Sequence, residues 1–126
     1  MRAAALVFTL LLGTAPPLLA ASGGDAFNTE VRPILARHCF KCHGPDDKAR
    51  KAQLRLDQRD AALRGGRSKQ PALVPGHPEQ SELIRRIFAE DESEIMPPPQ
   101  TKNPLSEEDK QILKRWIADG AEYRQH

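Results

Sequence analysis

Cys39-Phe40-Lys41-Cys42-His43 sets two thiols three residues apart with an imidazole directly behind them. This is the attachment pattern of a c-type haem. The spacing follows from chemistry: two thiols add across two vinyl groups on one porphyrin edge, so they must stand about one helical turn apart. The next residue then projects over the ring, where its imidazole reaches the iron as proximal ligand. Cys39 and Cys42 are the only cysteines in the chain, so neither is left over for another role.

Three rival readings of the same residues carry their own requirements. A thioredoxin-like dithiol needs a βαβ setting with β-branched runs, and no strand alternation surrounds Cys39. A structural zinc needs four ligands, usually from a second matched pair, and His77 and His126 are not spaced as one. A disulfide across three residues closes a tiny loop and contributes little entropic stabilisation.

Haem is attached to such proteins outside the cytoplasmic membrane, so the motif calls for an export signal. The N-terminus reads as one, assigned to residues 1–21. Arg2 is the basic end, and residues 3–12 are apolar except for Thr9. Pro16-Pro17 then interrupts the run, and Ala20-Ala21-Ser22 offers small residues for cleavage. The apolar run is too short to span a bilayer. No cysteine lies near the cleavage residues, which excludes a lipid anchor there. The mature chain, residues 22–126, is expected to be one exported or periplasmic domain of roughly 105 residues with no membrane span.

A domain of that size builds only a modest core. Over the full sequence there are eleven prolines and a hydrophobic fraction of 39%; with only five aromatics after the signal (Phe27, Phe40, Phe88, Trp116, Tyr123), a protein-only core is marginal. A covalently held porphyrin would supply the missing apolar body.

The helices can be placed. Phe27, Val31, Ile34 and Leu35 form one face of a helix running into Cys39. Asp25 is its expected N-cap, and Pro33 is expected to kink it or to start its regular part. Residues 59–64 read as a brief helix stopped by Gly65-Gly66. Pro78 suits a first helical position, and Leu83, Ile84, Ile87 and Phe88 share a side of the helix that follows. The last helix is capped by Ser106 with Asp109 three residues on. It carries Ile112, Leu113, Trp116 and Ile117 as its apolar stripe and stops at Gly120. The first and last helices are expected to cross.

A haem iron held by His43 has a sixth position, and its occupant decides function. Met96, the one methionine of the mature chain, lies in Ile95-Met96-Pro97-Pro98-Pro99. A thioether is soft and neutral, favours ferrous iron and raises the potential. The following prolines would stiffen its loop. Core filling is the plainer use of a lone methionine, but a proline-rich loop suits that poorly. His77 is the rival ligand, although its Gly-His-Pro setting reads as a surface turn. His38 is expected on the proximal side and His126 at a loose end. His43 is expected to donate its other ring nitrogen to a backbone carbonyl. Arg55, Arg59 and Lys102 are candidate partners for the haem propionates.

Residues 41–69 hold nine basic and four acidic side chains, whereas residues 79–94 hold six acidic and two basic. Two solvated faces explain this. A sharper reading is a dipolar surface that steers a redox partner. No basic stripe with interleaved aromatics points to nucleic acid.

With these residues in place, the chain resembles the planctomycete-type cytochrome c domain, a branch of the class I cytochrome c fold. The resemblance runs through Val31-Arg32-Pro33-Ile34-Leu35, Cys39-Phe40-Lys41-Cys42-His43-Gly44-Pro45 and Leu54-Arg55-Leu56-Asp57. It continues in Leu73-Val74-Pro75-Gly76, Glu82-Leu83-Ile84-Arg85-Arg86-Ile87 and Met96-Pro97-Pro98-Pro99, and ends in Leu113-Lys114-Arg115-Trp116-Ile117-Ala118-Asp119-Gly120-Ala121. It implies an all-α fold, a small cytochrome c fold with three to five helices packed around one covalently attached haem. It also implies thioether attachment at Cys39 and Cys42, His43 as proximal ligand and Met96 as distal ligand. In that family the domain commonly begins a longer exported protein; this sequence ends at His126. The expected function is an exported mono-haem c-type cytochrome, a one-electron carrier and not an enzyme. Its partners would be redox proteins and the haem-attachment machinery. The alternatives are a haem enzyme or ligand sensor with an open distal site, or a haem module of a larger exported assembly.

Overall fold

Pro33 shapes the start of the domain. A helix spanning residues 23–38 runs in three contiguous pieces: α1 (Gly23–Ala26), a π-helical turn (Phe27–Val31) and α2 (Arg32–His38). Pro33 lacks an amide hydrogen, and its ring crowds the carbonyl one turn back. The backbone answers by widening before it: the Arg32 N–H reaches five residues back to the Phe27 carbonyl. The regular α-helical part, α2, thus starts at Arg32 with Pro33 in its first turn, as one of the two expectations had it, and a π-turn stands where the other expected a kink. Asp25 lies inside α1 and is not its cap; its carboxylate meets Arg124 at 2.8 Å.

The computed structural model describes Ala4, residues 12–17 and residues 23–124. Arg2, most of the apolar stretch behind it, the cleavage residues Ala20-Ala21-Ser22, and His126 lie outside the described residues. Among the described residues the structure is helical without strands, and no helix is long and apolar enough to cross a membrane.

Three more helices follow: α3 (Arg59–Arg64), α4 (Glu82–Ile87) and α5 (Glu107–Ala118). The α3 helix stops at Gly65, as expected, with the Gly65 N–H on the Ala61 carbonyl at 3.0 Å. Pro78 opens a separate 3₁₀ turn (Pro78–Gln80) and not α4, which restarts after the extended Ser81. Phe88 departs from the expected buried face. Because α4 ends at Ile87, Phe88 caps it and is 36% exposed, with Lys110 and Lys114 above its ring.

The α5 boundaries match the expectation. The Ser106 hydroxyl accepts the Asp109 N–H at 3.0 Å. At the other end Gly120 takes φ +114°, and the N–H groups of Gly120 and Ala121 return to the carbonyls of Ile117 and Trp116. These paired bonds satisfy two of the helix's last carbonyls. Ser106→Ala should destabilise the protein by about 1 kcal/mol in a chemical-denaturation experiment, since one orphan amide loses its acceptor.

The first and last helices meet at the π-turn. Phe27 stacks on Tyr123 with centroids 4.7 Å apart, and Trp116 lies 5.8 Å from Phe27 and 5.3 Å from Tyr123. Both polar tips are satisfied: Trp116 Nε1 donates to the Glu122 carbonyl at 2.9 Å and the Tyr123 hydroxyl to the Leu56 carbonyl at 2.7 Å. Burial, reinforced by Asp57 and Cys39, pushes the Tyr123 phenol well above its ordinary pKa. Leu35, Leu113 and Ile117, all fully buried, continue this core beneath the motif.

Candidate functional site

The end of α2 delivers the motif. The N–H groups of Cys39 and Phe40 both bond the Leu35 carbonyl, at 2.8 and 2.9 Å. One further turn is closed by Cys42 and His43, whose N–H groups reach the Cys39 carbonyl at 3.1 and 2.8 Å. Bonds to the third and fourth residue back are those of a helical turn, so the two cysteines stand one turn apart. Gly44 makes the exit possible: a Cβ there would lie 2.1 Å from the Phe40 carbonyl oxygen. Only glycine permits so close an approach.

The loop that follows fastens the motif from outside. The Lys51 N–H bonds the Cys42 carbonyl at 2.7 Å, and the Leu56 N–H bonds the His43 carbonyl at 2.8 Å. Arg50 reaches the carbonyls of Gly44 and Pro45. Through Leu56, whose carbonyl holds Tyr123, the motif is tied to the aromatic cluster of the two end helices.

Cys39, Cys42, His43 and Met96 all line one cleft of about 410 Å³. Its walls are mainly apolar, with Leu54, Leu56, Leu83 and Ile87 among them. That volume falls within the ~300–1,000 Å³ usual for cofactor clefts. Both cysteines are free thiols. Burial, with a smaller contribution from Cys42, pushes the Cys39 thiol up to about 12. Dithiol-exchange catalysts need the opposite shift, and their strand scaffold is missing among the described residues. Nor do three or more His, Cys, Asp or Glu side chains converge there in a way that would hold a metal unaided.

His43 offers the most telling atom. Its Nδ1 is buried without a hydrogen-bond partner. The expected carbonyl acceptor is therefore not in place: Lys51 and Leu54 present their backbones to the ring, but neither closes a bond to Nδ1. Burial pulls the imidazole below its ordinary pKa, against a weaker opposing pull from those two backbones. A neutral imidazole is the form with a lone pair to give a metal. With Nδ1 sealed off, Nε2 is the nitrogen open to the cleft. A mainly apolar cleft, two free thiols one turn apart and the His43 imidazole beside them fit a covalently attached porphyrin.

Met96 arrives on a loop anchored to α4. Its N–H donates to the Arg86 carbonyl at 3.1 Å, and Arg86 is held by Glu82 and by the Glu94 carbonyl. Arg85 bridges Glu82 and Glu94 as well. Arg85, ahead of Arg86, holds the Glu82 carboxyl below its usual range. In the acidic stretch before Met96, Glu94 is thus committed to holding the loop, and Asp91 accepts from Ser93 within it. The Met96–Pro97 peptide is cis, and Pro97 and Pro98 continue the cleft wall.

Other expected residues sort differently. His77 lies off the cleft, its Nδ1 3.0 Å from exposed Glu79. His38 does line the cleft. Arg55, Arg59 and Lys102 do not: Arg55 makes a two-point pair with Asp57, and Arg59 donates to the carbonyls of Gly120 and Ala121. The cleft's cations are Arg37, Lys41, Arg67 and Arg86. Spacing alone does not separate Arg67 from Arg55; the two differ in whether a carboxylate already holds them. Asn103, which carried no sequence signal, also reaches the cleft.

The family model described as Planctomycete cytochrome C matches residues 39–100, a span that begins at the first motif cysteine and ends just beyond the Met96 loop. No curated protein and no solved structure matches the chain.

Proposed function

Given that the chain belongs to the planctomycete cytochrome C family through residues 39–100, we propose that it is an exported cytochrome with one covalent haem c, working as a one-electron carrier. The observation that carries this reading is that Cys39, Cys42, His43 and Met96 line a single apolar cleft. Bound haem iron would supply the ferric–ferrous couple.

The chain's residues have distinct tasks around it. Cys39 and Cys42 would hold the haem, each thiol adding its S–H across one vinyl group to give a thioether with no net transfer of electrons. His43 would offer its Nε2 lone pair to the iron and Met96 its thioether sulfur, and an iron held by both would have no open place for a substrate. The prolines that follow Met96 would restrict its loop and so keep reorganisation small. The apolar walls would exclude water, and Arg67, whose side chain has no partner among the described residues, would offer a charge-assisted bond to a propionate. Redox proteins outside the cytoplasmic membrane would be its partners.

The test is the absorption spectrum of the protein expressed with a haem-attachment system, recorded oxidised and reduced, with and without carbon monoxide. A six-coordinate low-spin spectrum indifferent to carbon monoxide is expected. Met96→Ala should admit carbon monoxide and lower the potential by on the order of 100 mV, within the ~0.8 V span that axial ligands command. Rapid carbon monoxide binding by the unaltered protein would defeat the carrier reading.

A further inference from the structure

The Met96 loop is fastened at both ends, and its far fastening involves residues with no assigned role. Past Met96 the chain makes a 3₁₀ turn (Pro99–Thr101), then Lys102 in the left-handed region at φ 51°, and reaches Asn103. Asn103 Nδ2 donates to the Arg37 carbonyl at 2.8 Å. That carbonyl lies in the last turn of α2, where helical carbonyls lack partners. In return the Asn103 carbonyl faces His38 Nδ1 at 3.2 Å. A carbonyl can only accept, so Nδ1 carries the hydrogen. His38 is nearly buried, its side chain 9% exposed, and its Nε2 stands 3.7 Å from Asp109 Oδ2 at the start of α5.

One residue thus makes two reciprocal bonds with two consecutive residues directly before Cys39. Arg37, His38, Thr101 and Asn103 all line the cleft together with Met96. The near end of the loop is tied to α4 through the Met96 N–H and Arg86. Between the ties, prolines at 97, 98 and 99 restrict the backbone. A stiff segment held at both ends withdraws its sulfur only if one tie opens. The Arg86 tie is braced by two carboxylates, so the Asn103 tie is the weaker one.

We infer that Asn103 and His38 are positioning residues forming a latch that keeps the Met96 loop closed, and so set how often the sixth iron position opens. The inference rests on Met96 as distal ligand. It is tested on ferric holoprotein by mixing with imidazole in a stopped-flow spectrometer. At high imidazole the rate reaches a plateau set by departure of Met96, a quantity that a merely structural role would not move. Asn103→Ala and His38→Ala should each raise that plateau about threefold to tenfold, the factor corresponding to one net hydrogen bond. His38→Gln keeps a donor and should restore a rate near that of the unaltered protein. If Asn103→Ala fails to accumulate with haem, the two His38 variants read the other bond of the same latch, that to the Asn103 main-chain carbonyl. Plateaus unchanged in the variants, with Met96→Ala abolishing the plateau, would overturn the latch alone. Absence of any plateau in the unaltered protein, with Met96→Ala without effect, would remove Met96 as ligand and the latch with it.

Discussion

Haem should stay with the unaltered protein through extraction in acidified organic solvent, and should leave a Cys39→Ala/Cys42→Ala variant completely. The geometry makes this an all-or-none effect. The two cysteines occupy one helical turn, fixed by the bonds of Cys42 and His43 to the Cys39 carbonyl. These backbone bonds survive the substitution, so the imidazole keeps its place and the cleft its shape. Only the thioethers are lost. A single replacement leaves one covalent link and should retain haem under the same extraction, with a shifted absorption maximum because one vinyl group remains unsaturated. Haem that resists extraction from the double variant would show that attachment does not run through these thiols.

Leu35→Ala should cost the holoprotein about 2–5 kcal/mol, read from the shift in its denaturation midpoint at unchanged slope. Leu35 is fully buried, and its backbone carbonyl accepts the N–H groups of both Cys39 and Phe40. The substitution leaves those bonds in place and removes only side-chain volume. The helix is braced by Pro33 and the π-turn on one side and by the motif turn on the other, so it has little freedom to collapse into the gap. A small destabilisation, below about 1 kcal/mol, would mean that the core beneath the motif relaxes more readily than its packing implies.

Where the chain's own local chemistry decides the outcome, the sequence was sufficient. Ser106 with Asp109 marks the start of α5, Gly120 marks its end, and Gly65 stops α3. The periodic stripes of the first and last helices are the faces that meet. The convergence of the motif with the Met96 loop was also legible, because the residue types available to a haem are few. Four features were not legible. The π-turn is a backbone answer to Pro33, and no side-chain pattern encodes it. Phe88 continues the period of α4 on paper, but the helix ends one residue earlier and the ring turns toward Lys110 and Lys114. The cleft's cations could not be chosen from composition, since Arg55 and Arg59 are committed to Asp57 and to the C-terminal carbonyls. The His38–Asn103 contact joins residues 65 apart, beyond the reach of any local pattern.

The pairing of the first helix with the last has a consequence for the order of events as the chain is made. Phe27 lies near the beginning of the domain, and Trp116 and Tyr123 near its end. A chain emerging N-terminus first presents Cys39, Cys42 and His43 long before α5 exists. The cluster that closes the core cannot form until the final turn has emerged, because its partners are separated by nearly the whole domain and such distant pairings form late. Until then the motif sits on an unclosed chain, its thiols and imidazole accessible. Closure by Trp116 and Tyr123 is then the last step in sealing the core beneath the cleft.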